Sequence, residues 1–472
     1  MNKVIRTSFV MILLGMVTTL CAGGERSSAR LVGMGRTFTA ISRGLDAVGL
    51  NPANLALDDR DATVTINLFP IGISAGSDFI NYKIYNDYFT GVPDPNNPGK
   101  QIGRHLTEAD KQEILGLFPG GIARTQAGVE VAPLGLSLQF NGFGLAVVPS
   151  VRVLSNLDLA DAILKFPLQG NINDAGEGTF DFGGTSVNAS AIAELNVSAG
   201  YLIPVKIPDV EEFSVGVGVK YLKGLAFSTT DHYNAVIQTV GQNYTNPKTG
   251  QTQFYADSIK GNFDFLQLVA YDSTGKEPAG SGMGFDIGVS ALIVNSIRVG
   301  ISITDIGKIT WSKNPKAIVG RSNFAVEGLN KENLDTLSKA FKGQTFDTTA
   351  FDYGLPTAFH LGAEVHLDDL IESFPFPWVV ATDIHIGFNN LAGNTKIVQY
   401  AIGTELDPLA GWLPLRTGII LGGRERFGWS AGFGIHFANR FDLDFATQSI
   451  AILVSPNSFR TGSLTVGMRM RF

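Results

Sequence analysis

Residues 31–57 read LVGMGRTFTAISRGLDAVGLNPANLAL. Gly33-Met34-Gly35-Arg36 forms one turn, a run of small residues carries Asp46 and Ala47, and Asn51-Pro52-Ala53 forms a second turn. Glycines at 33, 35, 44 and 49 allow tight turns and close approach of the backbone to a neighbouring surface. Pro52 stiffens the second turn, and the Asn51 side chain is placed to cap it. Everything after this stretch reads strand, turn, strand, so the fold must accommodate a compact preface to a long β-protein.

The strands alternate with a period of two. Phe213, Val215, Val217, Val219 and Tyr221 share one face, and Ser214, Gly216, Gly218 and Lys220 share the other. Phe427, Trp429, Ala431, Phe433, Ile435 and Phe437 likewise oppose Gly428, Ser430, Gly432, Gly434 and His436. One apolar face suits a sandwich or a membrane barrel. The Gly/Ser-rich polar face, the aromatic strand ends and the low charge favour the barrel. Charged residues are 17% of the chain, against ~25% in soluble domains.

The pattern predicts fourteen strands, near 62–77, 126–139, 143–154, 188–203, 213–228, 281–294, 296–310, 356–367, 377–389, 396–407, 414–422, 427–437, 440–454 and 460–472. Asn141-Gly142 is a tight-hairpin signal between the second and third. Counted this way, the long loops 78–125, 155–186, 229–280 and 311–354 all fall on one side, opposite short turns such as Asn295-Ser296 and Ala438-Asn439. That asymmetry marks a transmembrane antiparallel β-barrel of the outer-membrane type. A sixteen-strand count survives if 229–280 hides a further barrel hairpin. Short helices are expected after Thr107, over Leu157–Phe166 and over Lys331–Phe341.

Residues 1–23 read as a secretory signal peptide: Lys3 and Arg6, an apolar run from Phe9 to Leu20, then Cys21-Ala22-Gly23. Leu20 stands where lipidation of Cys21 would want a small residue. Cys21 is the only cysteine, so cleavage after it leaves no thiol chemistry. A net charge of −7 argues against a nucleic-acid partner.

The turns of residues 31–57, in their order and spacing before the first strand, resemble the amino-terminal hatch of the FadL-type family. These are outer-membrane transporters of long-chain fatty acids and other hydrophobic compounds. The stretch also resembles PorV-type proteins and exported barrels of unassigned role, which Asp305-Ile306-Gly307 through Trp311 and Leu355-Pro356 resemble as well. The resemblance implies a Gram-negative outer-membrane barrel over 61–472 and a hatch over 24–60 that plugs the lumen from the periplasmic side. Gly33, Gly35, Arg36, Asn51, Pro52 and Ala53 would be its defining residues. Physics agrees, because a barrel of ~14 strands is too wide for its own side chains to fill. The resemblance further implies passive uptake of a hydrophobic small molecule, captured among the outer loops and released sideways at a kinked strand. Pro149, inside the third strand, is the candidate wall gap, since proline removes a ladder donor. Leu157, Leu159, Ile163, Leu164 and Phe166 are the candidate capture surface. The last strand alternates Leu464, Val466, Met468, Met470 and Phe472, and resembles the terminal signal read by the barrel-assembly machinery.

No catalytic residue, metal site or cofactor is expected: there is no Gly-Xaa-Ser-Xaa-Gly elbow, Walker loop or zinc motif. His360, His366, His385, His436, Glu364, Asp383, Glu405, Asp442 and Asp444 fall on inward faces, where Arg36, Arg298, Arg469 and Arg471 would pair with the acids. Three functions compete: a transporter for hydrophobic molecules, a PorV-like secretion or surface-attachment subunit, and a lipid-acting enzyme. The oligomeric state stays open.

Overall fold

The structure is a computed structural model describing residues 28–97, 99–172, 178–204, 208–293, 296–327, 331–371, 373–409, 411–437, 440–451 and 460–472. The expected leader and the turns at Asn295 and Ala438-Asn439 lie outside the described residues.

Fourteen antiparallel strands close into a barrel. Strand β1 runs Val64–Leu68 and, past a kink, Ile71–Ser77. Strand β2 is likewise split, into Ile122–Val131 and Leu134–Phe140. Then come β3 (Phe143–Ala160), β4 (Ser186–Leu202), β5 (Val210–Thr245), β6 (Gly280–Ile293) and β7 (Ile297–Trp311). Strand β8 joins Phe351–Gly354 to Ala358–His366. The remainder are β9 (Trp378–Gly387), β10 (Gln399–Leu406), β11 (Leu415–Gly422), β12 (Arg426–Phe437), β13 (Phe441–Thr447) and β14 (Thr461–Arg471). Closure is made by β14 on β1, with Ile66 opposite Met470 and Ile73 opposite Leu464.

The alternation sorts side chains by face. On β5, Ser214 and Lys220 are fully buried in the lumen, while Val217 and Tyr221 are exposed outside. The same outward exposure holds for Leu136 and Leu138, Leu195 and Val197, Phe285 and Ile287, and Ile402, Ile419 and Leu421. A continuous apolar belt of this kind is stable only in lipid. Closure of the sheet is what lets strands sit there with every backbone group paired. Phe140, Phe143, Tyr201 and Phe437 ring the short-turn end; Tyr221, Tyr400, Phe427 and Trp429 ring the other.

The hairpin inside 229–280 does not add barrel strands. Beyond Ala226, β5 leaves β6 and continues upward, paired with a returning strand, Thr252–Tyr271. Lys316–Val326 and Gln344–Asp347 extend that sheet on one side, and Thr179–Asp181 on the other. The result is a layer beyond the long-loop end of the barrel with its own core of Phe180, Ile237, Ile259 and Phe263. Helices Ala162–Gln169 and Lys331–Lys342 flank it, the second lending Leu337 and Ala340.

The expected helix over Leu157–Phe166 is displaced. Strand β3 continues to Ala160, with Leu157 opposite Thr125 and Leu159 opposite Ala123, and the helix starts only at Ala162. Leu157-Asp158-Leu159 alternates with the period of a strand, a signal hidden inside a short apolar run. Ile163 and Phe166 pack on the core of that layer, with the Phe166 and Phe180 rings 5.2 Å apart. All five side chains are half-buried, two on β3 and three on the helix that follows it.

Residues 29–57 fill the lumen through a short helix, Ala29–Gly33, and two 3-10 turns, Gly44–Ala47 and Pro52–Ala56. They can do so because the wall thins where they touch it. Gly144, Gly200, Gly216 and Gly288 lie in register across β3, β4, β5 and β6. A Cβ on any of them would overlap plug atoms between Asn51 and Ala56. Gly300 and Gly362 do the same beneath Thr39, and Gly403 and Gly418 beneath Met34. Plug backbone and wall backbone are therefore in direct contact. A Gly216→Val barrel should still close, because the added atoms point inward, but its plug cannot seat. Planar-bilayer recordings should show larger and more frequent conductance than the parent, at unchanged heat-modifiable gel migration.

Candidate functional site

Inward-facing residues stack in three layers along β4, β5, β7 and β8. On β4 the sequence outside to inside is Ile192, Glu194, Asn196, Ser198, Gly200; on β5 it is Leu222, Lys220, Gly218, Gly216. Strand β7 gives Ile309, Asp305, Ser302, Gly300, and β8 gives Leu355, His360, Gly362. The lumen thus has an apolar mouth, a charged middle and a plug.

In the middle layer, Arg152 Nη2 lies 2.7 Å from Glu194 Oε2, and Arg152 Nη1 lies 3.4 Å from Asp305. The fully buried Lys220 ammonium bridges Asp286 at 2.6 Å and Asp305 at 2.5 Å. Asp305 reaches in because β7 bulges there: the register with β6 shifts between Phe285 and Ile287, and Asp305 has φ 54°. Its N–H donates to Asp286 Oδ1 at 2.9 Å. The two later motifs singled out in the sequence meet at this bulge, since Leu355 N donates to Gly307 O and Thr357 Oγ1 to Asp305 O. His360 and His385 face each other with their Nδ1 atoms 3.1 Å apart.

The plug is gripped by side chains from the wall. Asp383 Oδ2 accepts from Phe38 N at 2.7 Å, Thr39 N at 2.9 Å and Thr39 Oγ1 at 3.0 Å. Arg30 pairs with Glu405, which also binds Arg416, itself on Asp444. Arg43 pairs with Glu364, Asp46 with Arg469, and Asp59 with Arg471. Gly33 O accepts from Ser430 Oγ, and Gly35 (φ 69°) and Arg36 (φ 63°) turn the chain so that Arg36 approaches Glu425 at 3.6 Å. Asn51 caps the Pro52–Ala56 turn by accepting from Ala53 N, and donates to Thr39 O and to the wall at Val289 O.

His436, Asp442 and Asp444 bring ligand-type atoms within 4.8 Å of one another. Their charge is already matched. Arg60 Nη1 lies 2.8 Å from His436 Nδ1, Arg471 pairs with Asp442, and Arg416 with Asp444. Three guanidiniums in that shell repel a cation, so the cluster is an ion-pair node of the lumen.

Pro149 lies in β3 where the wall changes. Between β3 and β4 the register runs unbroken through Pro149 and Leu195. Between β2 and β3 it stops at Val131–Val151 and resumes at Leu136–Val147. Pro133 and, on β1, Pro70 stand at the same level, next to Phe69 with φ 46°. Behind this break lies a cavity of about 60 Å³, lined by Pro70, Ala132 and Val148 from the wall and by Arg30, Leu45 and Asp46 from the plug.

At the mouth, Phe227 stacks on Trp311 at 4.7 Å, with Tyr353 5.0 Å from Phe227. Residues 52–446 match a sequence family described as a family of unknown function, DUF5723. The chain belongs to that family. No curated protein matches it. Its fold is similar to the toluene transporter TbuX of Ralstonia pickettii, at 12% identity over 95% of this chain and 99% of that one, TM-score 0.45. It is also similar to the toluene transporter TodX of Pseudomonas putida, with the same identity and coverage and TM-score 0.42. A FadL homologue of Pseudomonas aeruginosa gives 14% identity, 95% and 96% coverage, and TM-score 0.41.

Two features of this DUF5723 barrel lie beyond what strand patterns carry. The in-register glycines look like ordinary polar-face residues until pairing is known. The loops Asn389–Thr395 and Gly423–Glu425 look like surface turns yet fold inward, burying Asn394, Arg424 and Glu425. Replacing Asp383 by Ala strands two plug N–H groups, each worth about 1–3 kcal/mol when left unpaired. The plug of Asp383→Ala should loosen by about 2–6 kcal/mol, read as faster limited proteolysis within residues 28–60 while the barrel band stays folded.

Proposed function

We propose that this barrel passes uncharged hydrophobic small molecules passively through the outer membrane of a Gram-negative cell, admitting them at the mouth and releasing them sideways into the lipid. The observation that carries the reading is the break between β2 and β3, at the level of Pro70, Pro133 and Pro149, with a lumen cavity directly behind it. A closed sheet gains by completing its ladder, so a gap in register at membrane depth is a feature with a cost. A lateral exit also suits apolar cargo, which has no reason to enter water below the plug. The terminal strand ending in Phe472, which pairs with β1, would be the segment read by the assembly machinery.

A second reading, a non-transporting subunit for secretion or surface attachment, is favoured by one observation. The extracellular layer built on Phe263 and Ile237 has a core of its own, larger than a loop needs.

Proteoliposome uptake of a radiolabelled hydrocarbon or fatty acid separates the two. Transport predicts uptake above protein-free vesicles, and a fall toward that baseline in Val148→Trp, whose indole fills the cavity behind the break. Uptake by neither protein removes the transport reading in favour of the second.

A further inference from the structure

The apolar mouth is shaped as a binding site and is already occupied by the chain itself. Gly224 faces the Trp311 indole with no side chain between, so the ring lies flat against β5. With Phe227 stacked on it, the indole forms one wall of a cavity whose remaining volume is about 20 Å³, room for a water and no more. Leu391 and Ala392 line that same cavity. They belong to the loop between β9 and β10, which turns inward across the lumen.

The shortest wall-to-loop bonds come from one buried amide on the opposite wall. Asn156, on β3, is fully buried; its Nδ2 donates to Leu391 O at 2.7 Å and to Asn394 O at 2.9 Å, and its Oδ1 accepts from Gly393 N at 3.3 Å. Asn188 Nδ2, on β4, adds a long bond to Asn390 O at 3.5 Å, and the loop's other side-chain ties are local or run beside β8, from Asn389 Nδ2 to Leu355 O and from Asn394 Nδ2 to Thr357 O. The segment is thus hinged at β8–β10 and latched at β3.

We propose that Asn389–Thr395 is a lid, that its Leu391-Ala392 tip stands in for a ligand in the mouth cavity, and that Asn156 is its latch. The ligand is a small uncharged molecule with a flat ring or short branched chain, matching an aromatic floor and the volume of the tip it replaces. The proposal rests on the transport reading and adds to it an entry step. Displacing the tip exchanges one apolar contact for another, so the cost of opening is the latch. The apparent affinity of a site that is covered most of the time is reduced by the fraction open.

The test uses the full barrel in detergent with the fluorescent probe N-phenyl-1-naphthylamine. Trp311→Ala should abolish binding, and Asn156→Ala should tighten apparent affinity about tenfold or more, the effect of three lost hydrogen bonds on the closed state. Hydrogen exchange on the unmutated protein needs no variant to fold: amides of 389–395 should lose protection when the probe is added. Trp311-dependent binding that Asn156→Ala leaves unchanged, with lid amides still protected, overturns the lid and leaves transport standing. No Trp311-dependent binding in any protein overturns the site as well, and vesicle uptake then decides the transport reading separately.

Discussion

The fit between two backbones governs this molecule. A fourteen-strand circumference leaves a lumen that wall side chains cannot close, so the amino-terminal segment must fill it. Side chains on both surfaces would hold plug and wall apart. The wall gives them up instead, at Gly144, Gly200, Gly216 and Gly288 across four neighbouring strands and again at Gly300, Gly362, Gly403 and Gly418. The plug answers with tight 3-10 turns and with Asn51, whose amide bonds plug to plug and plug to wall. Direct contact at van der Waals distance explains why so little free volume remains at that level.

Charge then fixes what close packing alone would leave free to slide. Buried ion pairs give weak net stability, because desolvation offsets most of their attraction, but removing one partner is costly. Arg30 is matched to Glu405 on β10, Arg43 to Glu364 on β8, and Asp46 and Asp59 to Arg469 and Arg471 on β14. A rotation or a vertical shift of the plug would leave several charges unmatched at once. The ions therefore specify one seating among the many that an apolar plug would allow.

Much of this was legible in the sequence, and the reasons are physical. Period-two alternation survives in a barrel because each strand has a lipid face and a lumen face, so fourteen strands and their inward histidines and acids could be read from Phe213–Tyr221 or Phe427–Phe437 alone. Turn chemistry is local, so Asn51-Pro52-Ala53 announced its cap. Features that depend on pairing were not legible. Gly216 looks like any small inward residue until Gly200 and Gly288 are placed beside it. Leu157 and Leu159 are a strand only because Thr125 and Ala123 are their partners. Asn156 reads as a loop asparagine, and its role as a latch exists only because residues more than two hundred positions away fold onto it. Pro149 was visible as a breaker, but the break it accompanies lies toward β2, and Pro133 and Pro70 had to be aligned with it by the register.

The lumen's two closures differ in chemistry. The mouth is closed by Leu391 and Ala392 against Trp311 and its neighbours, and an apolar solute can replace those contacts at little net cost. The middle is closed by Arg152, Glu194, Lys220, Asp286 and Asp305, and an apolar solute offers those charges nothing. The charged layer therefore separates the mouth cavity from the cavity behind the wall break, which lies on the plug side of Arg152 beside Val148 and Ala132. In the route proposed above, that ion-paired layer is the barrier a hydrophobe has to cross between the mouth and the lateral opening, and the strength of its pairing sets how readily the two cavities communicate.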